Sequence, residues 1–338
     1  MGLIVAEGFD AIGTAGEGLL NKNYLWSGAT ISSAGTYVAR SSGRYHGYAV
    51  SRTTTIGTGI QIDLPSPLSE IYLGMAVKKT GGDTTFLALR DGSSTQIDLR
   101  ASGTDLQVTR NGTLLGTVAS YLLTDIWRWI SLRVVIHDTT GIVEVRNGDG
   151  TVLLNLTGVD TKNTATAQAT NVYLNNVLLL IDHFFLMDTS GATFNGHLTE
   201  RAIWTGFPNA EGSTLDWTPT GAATRWEAVD DVGPDADSTY ISSGTVGHVN
   251  LSNVQDPPAT ITGIVGVMLQ NRSRKDAVGT RSINGLIRTG ASNFEGEETA
   301  LDSDYLSRAD LFEQNPDTAL AWQLSDIDAL QIGVEVTA

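Results

Sequence analysis

Hydrophobic and polar residues alternate along Trp127–Leu156, which reads WRWISLRVVIHDTTGIVEVRNGDGTVLLNL. Alternation with a period of two is typical of strands, and it places Ile130, Leu132 and Val134 on one face. Trp129 falls on the opposite face and belongs to a core only if the strand is buried on both sides. The segments DTTG and NGDG are rich in the residues that tight turns prefer. The stretch therefore predicts three antiparallel strands joined as a meander.

The same pattern recurs on both sides of this meander. The runs EIYLGMAVKK, TTFLALRD, TQIDLRAS and TNVYLNNVLLLIDHFFLMD alternate or are continuously apolar, and turn-forming residues separate many of them. These runs recur about every 8–12 residues, a spacing typical of β-sandwiches. Sustained helical periodicity does not occur in this part of the sequence. Residues 1–207 therefore predict about a dozen strands arranged as a jelly-roll sandwich.

The alternation stops in residues 208–244, where proline, glycine, aspartate and serine dominate. Such a composition is typical of a connection between elements. The stretch nevertheless contains Trp217, Trp226 and Tyr240, and large aromatic side chains usually pack against other parts of a fold. It is therefore predicted to be an ordered, extended connector.

Strand patterns resume at residue 245, with VNLSNV, TRSINGLIRTG and LQIGVEV among the clearest. About six strands over residues 245–338 favour a second, smaller β-sandwich. Just before the last strand, SDIDAL predicts a single helical turn capped by Ser325. The predicted organisation is thus an all-β chain with a jelly-roll domain at 1–207, a connector at 208–244 and a small β-sandwich at 245–338.

Composition narrows the classes of protein. The chain of 338 residues has 37 glycines, no cysteine and only 17% charged residues, which fits many short strands and excludes disulfides and thiolate chemistry. Its first residues do not form a secretory signal, and its longest apolar runs, such as VLLLI, are too short to span a bilayer. These features predict a chain made in a reducing cytoplasm that is soluble or joins a larger particle.

Acidic residues are concentrated in the C-terminal part of the chain. The formal net charge is −16; residues 1–207 carry 14 basic and 17 acidic side chains, and residues 208–338 carry 7 and 20. A field this negative disfavours binding to the phosphates of nucleic acids. The one basic cluster, RSRK at 272–275, is predicted to pair with neighbouring acids.

Motifs for catalysis are missing from the sequence. It contains no zinc-protease, serine-hydrolase or nucleotide-binding signature. Of the five dispersed histidines, only His183 and His197 are expected to approach each other, and a structural role is favoured for both. Glycoside hydrolysis uses two carboxylates, and the Glu-x-Asp-x-x-Glu strand by which sandwich-type hydrolases resemble one another does not occur. The sequence predicts a protein that is not an enzyme, with a glycan-degrading enzyme as the least favoured alternative.

Two groups of residues are candidate binding sites. Calcium prefers several oxygen ligands from flexible loops, and DDVGPDADS offers four carboxylates; the alternative is that they make local turn hydrogen bonds. Sugar-binding sandwiches use exposed aromatic side chains, and four aromatics lie in or beside loop-like sequence; the alternative is that they belong to the core. The calcium candidates are Asp230, Asp231, Asp235 and Asp237, and the carbohydrate candidates are Trp26, Tyr45, Tyr48 and Tyr121.

Two sets of segments resemble known families. DIWRWISLRVVIHDTTGIVEVRNGDGTVLLNLTG followed by IDHFFLMDTSGATFNGHLTERAIW resembles concanavalin A-like, laminin-G-type jelly rolls, over residues 1–207. The succession of GHLTERAIWTGFPNAEGSTLDWTP, DDVGPDADSTYISS and NPDTALAWQLSDIDALQIGVEV resembles structural proteins of tailed bacteriophages, and this likeness covers most of the chain.

The phage resemblance implies a function, a location and partners. It implies a non-enzymatic structural component of a bacteriophage virion, associated with the tail or a fibre. A capsid-decoration or head-fibre protein and a carbohydrate-binding adhesin are the alternatives. The implied partners are other virion proteins, further copies of this chain with a trimer favoured, and a host-surface glycan, without nucleic acid or membrane insertion. The implied location is the virion, assembled in the host cytoplasm, and calcium is the one candidate cofactor.

Overall fold

The computed structural model describes residues 2–10, 25–26, 29–33, 37–45, 47–52, 59–175, 178–191, 193–233 and 235–338. The chain divides into two compact units, Met1–Ile203 and Trp204–Ala338. Strands make up nearly all of the regular structure within these ranges, so the predicted all-β fold is confirmed. No helix in the described part of the chain is both long and apolar enough to cross a bilayer.

Sixteen strands are described in the first unit. They are β1 (Leu3–Glu7), β2 (Leu25–Trp26), β3 (Ala29–Ser33), β4 (Tyr37–Ser42), β5 (Tyr48–Arg52), β6 (Ile60–Leu68), β7 (Glu70–Lys79), β8 (Thr84–Asp91), β9 (Ser94–Ser102), β10 (Asp105–Arg110), β11 (Thr113–Val118), β12 (Trp127–Val135), β13 (Gly141–Arg146), β14 (Val152–Val159), β15 (Ala169–Leu174) and β16 (Leu179–Met187).

These strands form two eight-stranded antiparallel sheets. The first, called here the β7 sheet, has the order β14-β13-β12-β7-β16-β5-β4, with β1 paired to β16. The second, called here the β8 sheet, has the order β11-β10-β9-β8-β15-β6-β3-β2. The predicted meander is confirmed, because β12, β13 and β14 are neighbours, with Leu132 opposite Val145 and Val143 opposite Leu156.

The two sheets enclose one hydrophobic core. Ile130, Leu132 and Val134 of β12 are fully buried in it, as are Ile97 and Leu99 of β9 in the other sheet. Two sheets packed face to face over a shared apolar core form a β-sandwich. The jelly-roll sandwich predicted for this part of the chain is therefore present.

The β7 sheet is buried on both faces over part of its width. Trp129 lies on the face opposite Ile130, yet it is only 2% exposed, and its indole nitrogen donates to the Leu198 carbonyl at 3.2 Å. All nine residues of β16 are buried as well. The chain that follows β16 thus covers the outer face here. This explains why most residues of β16 are apolar, whereas a strand with one face in solvent would be apolar only at every second position.

The second unit contains ten strands, one short helix and a 3-10 turn within the described ranges. They are β17 (Pro208–Leu215), β18 (Thr218–Thr220), the 3-10 turn (Trp226–Ala228), β19 (Tyr240–Ser242), β20 (Val249–Val254), β21 (Val267–Ser273), β22 (Ser282–Thr289), β23 (Ser292–Glu295), β24 (Thr299–Ala300), β25 (Leu306–Phe312), α1 (Leu324–Asp328) and β26 (Gln331–Val336). Six of the strands form a sheet of order β17-β20-β26-β22-β23 with β24 on β22, and β18–β19 and β21–β25 form two-stranded sheets.

A separate core holds the second unit together. Leu269 of β21, Ile287 of β22 and Trp322 are buried in it together with Ile327 and Leu330. The two-stranded β21–β25 sheet thereby packs on the six-stranded sheet, and the result is the smaller β-sandwich that the sequence predicted.

Two local features differ in detail from the sequence expectations. Residues 208–215 form β17, which pairs with β20 in the sheet of the second unit. The predicted helical turn is present as α1, but the prediction that Ser325 caps it is wrong. The N-cap is Gln323, whose extended backbone precedes the first helical residue, and the Asp326 carboxylate accepts its amide at 2.8 Å. The capping hydrogen bond is thus made by Asp326, the third residue after the N-cap, and Ser325 lies inside the helix.

Candidate functional site

A pocket of about 200 Å³ opens on the outer face of the β8 sheet. Core residues such as Leu89, Leu99 and Val172 point to the sandwich interior, so the residues that alternate with them point outward. The pocket is bounded by β8, β9, the β10–β11 turn and the end of β15. Its lining residues are Thr85, Leu87, Ala88, Arg90, Thr95, Asp98, Gly112, Tyr173 and Asn175. We call it the Tyr173 pocket.

The strand register explains why the face is hollow here. Ala88 of β8 lies opposite Asp98 of β9 on one side and opposite Tyr173 of β15 on the other. Neighbouring strands are about 4.8 Å apart, so the backbones of Asp98 and Tyr173 are separated by about 10 Å. The methyl group of Ala88 fills little of that gap and forms the floor of the pocket.

Arg90 and Tyr173 form one wall. The guanidinium carbon of Arg90 lies 3.5 Å from the centre of the Tyr173 ring, which is close cation-π stacking. The Tyr173 hydroxyl accepts a hydrogen bond from the backbone amide of Gly59. Burial lowers the pKa of Arg90, and the neighbouring Tyr173 opposes that shift. The wall is therefore flat, rigid and positively charged.

Asp98 supplies the opposite wall with a carboxylate. The side chain is only 6% exposed, and this burial raises its pKa, while hydrogen bonds from the Thr109 hydroxyl and the Gly112 amide act against the rise. Asn111 and Gly112 have φ values of 45° and 85°, the left-handed pair typical of an Asn-Gly hairpin turn. That turn brings the Gly112 amide to the carboxylate and holds Asp98 as a hydrogen-bond acceptor.

Gln96 anchors a loop beside the pocket. Its side-chain amide donates to the Thr164 hydroxyl at 2.8 Å and to two carbonyls of the loop, and its carbonyl accepts two loop amides. The loop comprises residues 163–168 and covers the outer face of β9 two residues from Asp98. The Tyr173 pocket is thus flanked by ordered chain.

The carbohydrate candidates from the sequence lie elsewhere. Trp26 and Tyr48 are in β2 and β5, and their side chains fall outside the described part of the structure. Tyr45 is 58% exposed and stacks on the buried His183 ring, with its hydroxyl bonded to Glu200.

Tyr121 is the fourth carbohydrate candidate and is half-buried. It donates to the Trp129 carbonyl, and burial raises its pKa to about 12. Neither Tyr45 nor Tyr121 lines the Tyr173 pocket.

The calcium candidates make local hydrogen bonds in the second unit. The Thr239 hydroxyl lies 2.9 Å from an Asp231 oxygen and 3.0 Å from an Asp235 oxygen. Asp237 pairs with Arg274 at 2.9 Å and accepts the Tyr305 hydroxyl at 2.8 Å.

Arg274 belongs to the basic cluster, so its predicted pairing with a neighbouring acid is confirmed. For Asp230, burial and the adjacent Asp231 raise its pKa. Across the described ranges, no three His, Asp or Glu side chains are grouped as a metal site would require.

Ser131, His197 and Glu144 form a chain of contacts on the outer face of the β7 sheet. Ser131 Oγ lies 2.8 Å from His197 Nδ1, and His197 Nε2 lies 3.5 Å from a Glu144 oxygen. The order resembles a serine-hydrolase triad. Ser131 is only 1% exposed, however, and the His197 ring covers it. The three residues therefore fasten the chain after β16 to the sheet.

The two histidines that were expected to approach each other have different partners. His183 is fully buried, lies beside Asp182 and accepts the Ile203 amide at 3.2 Å. His197 instead packs edge-on against Tyr72 and bonds to Ser131. Each histidine therefore fixes a different stretch of backbone, which fits the structural role that was favoured for both.

Comparison with known proteins gives structural likeness only. No protein-family model matches the chain, and no curated protein matches it. Among solved structures it is similar to lectin UEA-II complexed with galactose, at 10% identity over 49% of this chain and 95% of the lectin, with a TM-score of 0.33. It is also similar to carbohydrate-binding module CBM66 from Bacillus subtilis, at 9% identity over 49% and 92%, with a TM-score of 0.28.

A third similar structure is the alginate lyase AlgAT5 from polysaccharide lyase family 7, at 11% identity over 47% of this chain and 78% of the lyase, with a TM-score of 0.26. The three similar structures thus include two binding proteins and an enzyme.

The sequence did not single out the residues of the Tyr173 pocket. Arg90, Asp98 and Tyr173 occupy the polar positions of alternating strands, which is where any solvent-facing residue of a sandwich is found. The one sequence feature that could have indicated a hollow was the small residue Ala88 on the same strand face as Arg90. It gains meaning only once β15 is known to lie beside β8.

Proposed function

We propose that the chain is a non-enzymatic glycan-binding protein whose Tyr173 pocket holds one sugar ring. The observation that carries the proposal is the pocket itself, a hollow of about 200 Å³ in the sheet face with a stacked aromatic wall and a buried carboxylate. Binding sites for small ligands are concave and combine apolar surface with a few fixed polar groups. The size of the hollow suits a single ring.

Each wall has a defined task in this proposal. Ala88 and the edge of Tyr173 contact the C–H groups of the ring, which are apolar. Asp98 accepts hydrogen bonds from ring hydroxyls, and its own hydrogen bonds keep it in position. Thr85, Thr95 and Asn175, which also line the pocket, complete the polar contacts.

A binding role is favoured over glycan hydrolysis by the charges in the pocket. Glycosidases of the common type place two carboxyl groups on either side of the scissile bond. Among the residues that line the Tyr173 pocket, Asp98 is the one carboxylate, and Arg90 occupies the other wall. The arrangement can hold a sugar, and it lacks the second acid or base of that mechanism.

We further propose that this binding serves a bacteriophage virion. The support is the sequence resemblance to tailed-phage structural proteins, which covers both β-sandwich units. In this setting the chain is a tail- or fibre-associated component, assembles as a trimer with other virion proteins, and contacts glycan on the host surface. Mass spectrometry of purified phage particles and light scattering of the purified chain test these points; absence from particles would refute the virion role.

The glycan proposal is tested by filling the hollow. Ala88→Leu places a larger side chain on the pocket floor, whereas Thr117→Leu adds the same side chain at an exposed position of β11. Both variants and the unmodified chain are applied to an array of neutral and acidic glycans. We expect Ala88→Leu to lower binding at least about tenfold and Thr117→Leu to leave it unchanged. Binding that survives Ala88→Leu, or no binding by the unmodified chain, would refute the proposal.

A further inference from the structure

Arg90 is the charge of the Tyr173 pocket with the least compensation. Its Nε atom is buried and has no hydrogen-bond partner. Tyr173 alone, of the described groups, acts favourably on its charge, and burial lowers its pKa. In the described part of the chain, no carboxylate lies within ion-pair distance of Arg90, although acidic residues outnumber basic ones overall.

A half-buried cation without an ion pair is costly, because the protein interior replaces water poorly around a charge. An anionic group of a ligand would supply the missing partner. A guanidinium group presents parallel N–H donors in a planar fork that matches the two oxygens of a carboxylate. Stacking on Tyr173 fixes the plane of that fork, so the partner is expected to approach along its edge.

Asp98 does not neutralise Arg90 across the pocket. The two residues are on adjacent strands and offset by two positions, which places their backbones about 8 Å apart. The cation that acts on Asp98 is Arg100, on its own strand. The pocket therefore has a donor end and an acceptor end that stay separate, and a ligand that fills it must offer an acceptor to one and hydroxyl donors to the other.

We infer that the Tyr173 pocket selects sugars that carry a carboxylate, the uronic acids, over their neutral counterparts. The inference rests on the proposed glycan-binding function. The sugar carboxylate pairs with the Arg90 guanidinium, and hydroxyls on the far side of the ring donate to Asp98. The chain as a whole has a net charge of −16, which repels anions at long range. Selectivity for an acidic sugar therefore has to arise from the local contact with Arg90.

The test compares matched sugar pairs on the full chain. Glucuronate, galacturonate and mannuronate are each titrated against glucose, galactose and mannose by ligand-observed NMR. We expect at least one uronate to bind about tenfold more tightly than its neutral partner. We also expect that preference to weaken as salt is raised, since an ion pair at a partly open site is screened.

Variants assign the preference to one side chain. Arg90→Gln is expected to abolish the difference between the uronate and its neutral partner. Arg288→Gln removes the same charge from β22 in the second unit, where Arg288 bonds to Asn293, and is expected to change nothing. Arg90→Lys keeps the charge without the planar fork and is expected to retain a reduced preference. Unfolding midpoints of all three variants show whether lost binding comes from lost folding.

The outcomes separate this inference from the function on which it rests. Equal affinity for acidic and neutral sugars would overturn the inference and leave glycan binding standing. A uronate preference that is unchanged in a folded Arg90→Gln chain would also overturn it. If neither acidic nor neutral sugars bind in any pair, and the glycan array is also blank, both proposals are refuted.

Discussion

At the scale of single residues, burial decides what His197 does. The ring lies between Ser131 and Glu144, in an order that resembles a catalytic triad. Because Ser131 is almost fully buried beneath it, the contacts serve to hold the chain that follows β16. The same burial lowers the pKa of His197, and the nearby Glu144 opposes the shift only in part.

This lowered pKa predicts a pH dependence of stability. The unfolded chain takes up a proton on this histidine near pH 6.5, before the folded chain does. The free energy of unfolding should therefore fall as the pH drops below about 6.5, and the loss should end below the folded-state pKa. Urea unfolding midpoints measured from about pH 7.5 to about pH 5 test this.

A pair of variants isolates the contribution of His197. His197→Gln keeps a hydrogen-bonding side chain without the titration, so its stability should depend less on pH in this window. His137→Gln, at a side chain that is 44% exposed, makes the same histidine-to-glutamine change elsewhere in the unit, and its pH profile is the one with which that of His197→Gln is compared. Identical pH profiles for His197→Gln and the unmodified chain would contradict the assignment.

Single residues also show where sequence reasoning about the site reached its limit. Tyr45 and Tyr121 were candidates because they lie near turns, where exposed aromatics are expected. Tyr173, which lies within strand β15, gave no such signal. A sequence shows that a residue faces outward, but the hollow beside Tyr173 depends on Ala88 of β8, which is far away along the chain.

At the scale of elements, two strand side chains hold the loop formed by residues 163–168: Asp91 of β8 accepts the Thr164 and Thr166 hydroxyls, and Gln96 of β9 makes the larger set of contacts. The Gln96 amide makes five hydrogen bonds to it, and Gln96 is itself fully buried. Gln96→Ala would leave partly buried loop amides and carbonyls without these partners. We expect it to lower the free energy of unfolding by about 2–4 kcal/mol, since each buried unpaired polar group costs about 1–3 kcal/mol.

Chemical denaturation measures this loss directly. Gln107→Ala on the adjacent strand β10 is the control, because Gln107 is only half-buried and should cost little. If Gln96→Ala is as stable as Gln107→Ala, the loop is held by other contacts. In that case the hydrogen bonds of Asp91 to the Thr164 and Thr166 hydroxyls would be the main side-chain contacts that position the loop.

Elements were predictable where their contacts are local in sequence. The β12–β13–β14 meander followed from alternation and turn residues, and each strand pairs with the next one along the chain. The pairing of β8 with β15 joins segments about eighty residues apart, and periodicity does not contain that information. For the same reason, the composition of residues 208–215 did not reveal the pairing of β17 with β20.

At the scale of the whole molecule, the two units have separate cores. The core that contains Leu99 and the core that contains Leu269 share no residue. We therefore expect Leu269→Ala to destabilise the second unit by about 2–5 kcal/mol and to leave the first unit unaffected. Hydrogen exchange followed by mass spectrometry on the full chain reports each unit separately.

Leu99→Ala provides the reciprocal experiment, and it should raise exchange in the first unit alone. A rise in exchange across both units after either substitution would show that they unfold together.

The two units also differ in charge. Residues 1–207 carry 14 basic against 17 acidic side chains, so the unit with the pocket is far less acidic than the rest.

The double burial of β16 also bears on how freely this protein can vary. In β10, Leu106, Val108 and Thr109 are buried, whereas Asp105, Gln107 and Arg110 are half-buried and have room for other side chains. In β16 all nine positions are enclosed, and none has that freedom. A library of random substitutions should therefore retain diversity at Asp105, Gln107 and Arg110 of β10 and almost none along β16. The strand that tolerates the fewest substitutions would then be one that does not line the Tyr173 pocket.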